Sequence, residues 1–136
     1  MIVRKLNEIR GTNRETSANN WVSRRLLLSD DRMGFSLHDT IIHAGTSTEM
    51  HYQNHLEAVY CIQGKGTVRL VESGEVFDIE AGTVYALDRN DKHVLTAESE
   101  MRMVCVFNPP LVGNETHDES GAYPLLQAAE PEVANA

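Results

Sequence analysis

Two glycine-bracketed stretches hold most of the side chains capable of chemistry. His51, Gln53 and Glu57 lie between Gly45 and Gly64, and Tyr85 and His93 follow Gly74 and Gly82. Glycines at such points mark turns or close backbone approach, so each stretch reads as a strand pair whose interior side chains aim at one spot. Glu57 stands in an apolar run, with Leu56 before it and Ala58-Val59 after it. Burying an unpaired carboxylate costs roughly several kcal/mol, so an inward Glu57 needs a cation, whereas an outward one is an ordinary solvated strand residue. Tyr85, inside Gly82-Thr83-Val84-Tyr85-Ala86-Leu87, taken alone is a core tyrosine that hydrogen-bonds through its hydroxyl. His93 opens a strand after the polar Arg89-Asn90-Asp91-Lys92, and its imidazole fits an exposed turn as well as an inward position.

The elements that must carry these groups are short. Runs of alternating character fall at Arg25 to Leu28, Phe35 to His43, Ala58 to Gln63, Gly66 to Val71, Val76 to Ile79, Thr83 to Leu87, His93 to Ala97 and Met101 to Phe107. Many short strands between turn signals predict an all-β sandwich or barrel. Ile2 to Ile9 is the one candidate helix ahead of the strands, and it is short enough to be a strand instead. Residues 1–117 read as one domain. Residues 118–136 become Ala- and Glu-rich after Pro124 and predict a mobile lid or disordered tail.

Twenty acidic against twelve basic residues give a net charge of −8, which excludes a phosphate-backbone partner and favours solubility. No stretch approaches the roughly 20 apolar residues needed to cross a bilayer, and the start lacks an apolar leader, so the expectation is a cytoplasmic protein with no membrane partner. Cys61 and Cys105 are expected as thiols inside the barrel.

The spacing of Gly45, His51, Glu57 and Gly64 resembles the first motif of the cupin family, with Gln53 where that motif has a second histidine. Gly74, Glu80, Gly82 and Tyr85 resemble the second motif, with Glu80 in place of proline and Tyr85 in place of the ligand histidine. The resemblance implies a small jelly-roll-like cupin barrel with a rewritten metal site. Three separated segments, Asn20 to Arg25, Met50 to Tyr60 and Phe107 to His117, narrow it further. Over roughly residues 1–124 the chain is similar to the ectoine synthase family.

That similarity implies a lyase that cyclises N-γ-acetyl-L-2,4-diaminobutyrate to ectoine with loss of water, in compatible-solute biosynthesis under osmotic stress. It implies a metal held by Glu57, Tyr85 and His93, with His51 in reserve. An oxygen, oxygen, nitrogen set suits iron, manganese or zinc, and the family points to Fe(II). It also implies a homodimer, which would cover an edge of a small open barrel.

The substrate needs a fixed cation, a base and a polarising centre. Arg25 is expected to hold its carboxylate and Trp21 to form a wall. Strand alternation puts His38, Thr40 and Ile42 on one face, making Thr40 a contact, and sets Met103, Cys105 and Phe107 on another, with Phe107 a wall and Cys105 a poor nucleophile. By resemblance Glu115 and His117 belong to the active site, and ring closure is expected to use Glu115 to remove the amine proton, Tyr52 to protonate the leaving oxygen and His117 to orient the carboxylate or amine. Two other readings are a cupin that binds a small molecule without turning it over and an iron oxygenase. Gln53 and Tyr85 break the two-histidine set that oxygenase chemistry prefers.

Overall fold

The computed structural model describes residues 1–126. A single helical turn, α1 (Leu6–Ile9), precedes β1 (Glu15–Ser17) and β2 (Trp21–Leu27). After a 3₁₀ turn at Ser29–Asp31 come β3 (Ser36–Ile42), β4 (Ser47–Met50), β5 (Leu56–Gln63), β6 (Lys65–Leu70) and β7 (Val76–Glu80). The chain closes with β8 (Val84–Leu87), β9 (His93–Ala97) and β10 (Met101–Asn108). The eight expected strand runs are all present. β1 and β4, built from Glu, Thr and Ser with Met50 the one apolar residue, were not legible, and the helix is confined to the second half of Ile2 to Ile9.

The strands form a six-stranded sheet, β1-β2-β3-β10-β5-β8, and a four-stranded sheet, β4-β9-β6-β7, paired antiparallel throughout. Alternation decides what faces inward. On β5 Glu57, Val59 and Cys61 are buried while Leu56, Tyr60 and Ile62 are exposed, and on β10 Met101, Met103, Cys105 and Phe107 turn into the core. β3 breaks the pattern only at Asp39, which is buried on the outer face because Arg24 and Arg102 both pair with it. The hairpin between β5 and β6 is tight enough that Gly64 is obligatory: its φ is 93°, and a Cβ would strike the Glu100 carbonyl.

The boundary expected after His117 is not where packing ends. Ala122 and Tyr123 are buried, and Tyr123 joins the central apolar cluster, so residues 118–123 fold back onto the barrel. Residues 127–136 of the expected tail lie outside the described residues.

Candidate active site

Parity from both sides of β10 builds one cavity. Ser23 and Trp21 reach it from β2, His38, Thr40 and Ile42 from β3, Glu57 and Val59 from β5, Tyr85 from β8, and Met103, Cys105 and Phe107 from β10. Thr48 and Met50 of β4 and Leu95 of β9 face them from the other sheet, and Tyr52, His117 and Tyr123 complete the wall from loops; His93 is not on this wall. Of the residues singled out from sequence, Trp21, Thr40, Tyr52, Glu57, Tyr85, Cys105, Phe107 and His117 therefore line one space.

Glu57 and Tyr85 stand diagonally across the β5–β8 ladder, since Val59 is the direct partner of Tyr85 and Glu57 that of Leu87. Burial pushes the Glu57 carboxyl up to about 8, with the Cys105 thiol its hydrogen-bonding neighbour. Burial likewise raises Tyr85 well above the ordinary phenol range. His93 begins β9 in the opposite sheet, opposite Met50 and Leu70, fully buried and 5.9 Å from the Tyr52 ring between centroids. Its Nδ1 lies 2.9 Å from the Asp91 carbonyl and must donate there, which leaves Nε2 a free lone pair, buried and without any partner. A buried carboxyl, a phenol and an orphaned imidazole nitrogen are donors of the kind that hold a divalent cation, and the second ring nitrogen of His93 is anchored as metal-ligating histidines usually are. Among the described residues no three of His, Cys, Asp and Glu cluster as a metal site; the third donor here is a tyrosine. His51 is engaged instead by Gln53, 3.2 Å from its Nδ1.

At the other end Tyr52 and His117 are joined by a 2.8 Å hydrogen bond between the hydroxyl and Nε2. Burial, then the charges of Arg25 and His93, bring His117 down to about 4, so its imidazole is neutral at neutral pH. Burial raises Tyr52, keeping the phenol protonated. Trp21 meets the His117 ring edge-on at 5.4 Å.

Two expected substrate contacts are placed otherwise. The fully buried Arg25 donates from Nε to Ser23 Oγ (3.2 Å), from Nη1 to the Gly113 carbonyl (2.8 Å) and from Nη2 to the Glu115 carbonyl (2.7 Å). Glu115 turns both carboxylate oxygens onto its own loop, accepting the Val112 and Gly113 amides at 2.7 Å each. Neither side chain lines the cavity; together they fix the loop from Leu111 to His117. The same loop is anchored at its start, where Leu111 donates to Ser36 Oγ and its carbonyl accepts from the Ser29 amide.

Sequence reasoning missed Tyr123 and His55. His55 is buried with Nδ1 unpartnered and its ring perpendicular to Phe107. Nothing in its polar surroundings marks it, whereas a lone aromatic between Gly121-Ala122 and Pro124 was a usable signal for Tyr123.

Two antiparallel sheets closed around one inward-facing cavity define a small cupin-type barrel. The cupin domain of a transcriptional regulator of the XRE family from Enterobacter cloacae shares the fold, with a TM-score of 0.57 at 17% identity over 68% of this chain and 99% of that one. The profile of the ectoine synthase family matches residues 1–127. The chain belongs to the ectoine synthase family, enzymes of the hydro-lyase type. It is 60% identical to the L-ectoine synthase of Halalkalibacterium halodurans over 126 residues, 93% of this chain and 98% of the relative. The crystal structure of ectoine synthase from P. lautus matches with a TM-score of 0.84 at 56% identity, covering 98% of this chain and 95% of that one.

Proposed function

We propose that the protein is a metal-dependent ectoine synthase that closes N-γ-acetyl-L-2,4-diaminobutyrate into ectoine with loss of water. The observation that supports this beyond family membership is one cavity that pairs the buried Glu57 carboxyl and the Tyr85 phenol with a neutral Tyr52–His117 hydrogen bond, while the unpartnered Nε2 of buried His93 is a further donor whose ring lies 5.9 Å from that of Tyr52. Glu57, Tyr85 and His93 would hold Fe(II), or zinc or manganese in its place, and the ion would supply Lewis-acid polarisation of the acetamide carbonyl.

Ring closure forms a bond from the α-amine nitrogen to the acetamide carbon and expels the carbonyl oxygen as water. Neutral His117 accepts the proton that the attacking amine sheds, and the Tyr52 hydroxyl delivers a proton to the departing oxygen. Their hydrogen bond returns that proton to Tyr52, and a second proton, shed by nitrogen as the C=N bond forms, follows the same route to the hydroxyl that leaves as water, so amine and amide give cyclic amidine and water without net exchange with solvent. Trp21, Phe107 and Thr40 wall the substrate and exclude water, with Cys105 beside Glu57 as a contact and not a nucleophile. We assign the base to His117 in preference to Glu115 because both Glu115 oxygens are already occupied by amides. Arg25 acts on this pair through its charge and through the loop that it ties down.

A homodimer is part of this proposal: among the described residues β8 leaves one edge of the larger sheet unpaired, and Leu56, Tyr60 and Val84 make the outer face beside it apolar and exposed. Light scattering at micromolar concentration should give twice the chain mass; a monomer mass would remove it. No helix among the described residues is long and apolar enough to cross a membrane, and the buried free thiols Cys61 and Cys105 suit the reducing cytoplasm proposed for it.

The test of function is incubation of the pure iron-loaded protein with N-γ-acetyl-L-2,4-diaminobutyrate, with and without oxygen. Equal formation of the cyclic amidine under both conditions is expected. Absence of product would reject the reading, and a requirement for oxygen would move it to the oxygenases.

A further inference from the structure

We propose that Tyr123 is a positioning residue of this active site, holding Tyr52 and His117 in register; the inference deepens the cyclisation reading and rests on it. Tyr123 lies in a stretch that composition assigns to a tail, yet it is only 4% exposed. Its ring stacks on Tyr52, with 5.1 Å between centroids and 21° between planes, and lies 4.6 Å and 33° from His117. It meets Phe107 edge-on at 5.4 Å, and Arg25 Cζ sits 5.6 Å from its centroid. One ring thus touches both members of the proton-handling pair, an aromatic of the cavity wall and the cation that ties down the loop bearing His117.

The local sequence is built to deliver that ring. Asp118 accepts from the Ser120 amide (2.9 Å), the Ser120 hydroxyl (2.6 Å) and the Ala122 amide (3.2 Å), while its own amide donates to the Ala122 carbonyl (2.8 Å). The turn is then pinned to the barrel: the His51 amide donates to the Gly121 carbonyl and Asn54 Nδ2 to the Tyr123 carbonyl, each at 2.9 Å. Gly121 has φ 82°, and a Cβ there would lie 3.0 Å from the Glu49 carbonyl oxygen and 3.1 Å from Met50 Cα, so the close approach to β4 requires glycine. A surface tail has no use for so many constraints on one side chain. They make sense if the ring's position matters, because a displacement near 1 Å at a reacting pair costs roughly 10²-fold in rate.

The experiment uses the full chain loaded with iron and compares Tyr123→Ala, Tyr123→Phe and Asn54→Ala with wild type, with circular dichroism melts as the check on folding. Tyr123→Ala should lower kcat roughly 10- to 100-fold with bound iron unchanged and a smaller effect on KM. Tyr123→Phe, which keeps the stack, should recover most of that kcat. Asn54→Ala, which frees the Tyr123 carbonyl without altering the cavity wall, should shift kcat in the same direction by less. A readout independent of turnover comes from Trp21, the one tryptophan of the chain and a neighbour of His117. Its emission should move to the red and become more quenchable by acrylamide in Tyr123→Ala and Asn54→Ala, and not in Tyr123→Phe. If wild type fails to form the amidine, the cyclisation reading falls, while the quenching series still decides whether Tyr123 orders Tyr52 and His117. Wild-type kcat and quenching in Tyr123→Ala, or a Tyr123→Phe enzyme as damaged as Tyr123→Ala, would overturn the proposal.

Discussion

The donor set and the loop end of the cavity are built on opposite plans. Glu57, Tyr85 and His93 project from β5, β8 and β9, where the ladder register sets their direction and one local hydrogen bond, to the Asp91 carbonyl, fixes the His93 ring. His117 and Tyr123 come from irregular chain, and long-range hydrogen bonds set theirs: Arg25 to the Gly113 and Glu115 carbonyls, Asn54 to the Tyr123 carbonyl, His51 to Gly121. A strand aims a side chain cheaply, because period-two geometry fixes its face as soon as the sheet pairs. A loop has no such rule and needs a polar anchor for each group it presents. The first end should therefore fail by losing a ligand, and the second by losing geometry.

The largest effect is expected at Glu57. Glu57→Ala should abolish bound iron and lower kcat by about 10³-fold, given several kcal/mol for Lewis-acid stabilisation at about 1.4 kcal/mol per tenfold. Metal analysis and turnover check both; full iron in the variant would break the assignment of this end. His117→Asn should leave the iron in place and lower kcat by roughly 10²-fold or more, the contribution of one positioned base. Loss of iron in that variant would erase the distinction between the two ends.

Glu115→Gln sharpens the comparison. A carboxylate that only braces its loop should, on becoming an amide, turn one Val112 or Gly113 contact into a clash of donors, costing about 1–3 kcal/mol of stability. The rate should fall by less than about tenfold, far less than for a general base. Melting curves and kcat measured together decide it, and a fall as deep as that of His117→Asn would return the base to Glu115.

The smallest effect is a pH dependence of the metal-free protein. Glu57 is raised by burial to about 8 from an ordinary 4.5, so the folded chain holds this proton more tightly than the unfolded chain. Its contribution to stability is full below 4.5 and is lost as pH rises through about 8. Glu57→Gln should flatten that part of the Tm–pH curve and melt higher than wild type at pH 8 without metal. Parallel curves for the two proteins would show that Glu57 is not the buried acid described here.

Strand identity and inward parity were legible in the chain, because alternation at Phe35 to His43, Ala58 to Gln63 and Met101 to Phe107 is strong and both faces of each strand have a clear destination. The glycine spacing exposed Glu57 and Tyr85 for the same reason. The surroundings of Arg25 and Glu115 depend on something sequence does not encode: residue type announces a charge, but only the fold shows which backbone groups it meets. Arg25 meets carbonyls from residues far along the chain, and those contacts are created when β10 pairs with β3 and carries the Leu111–His117 loop across the barrel. Tyr123 was hidden by its neighbours, since Asp118, Ser120 and Gly121 have the composition of a tail until Asp118 folds them into a turn and Gly121 seats it against Met50. Local pattern determined the strands and the faces they present, because that information repeats every two residues. The loop end of the cavity waited on tertiary structure, because each of its side chains is aimed by hydrogen bonds to partners distant in sequence, which no local period records.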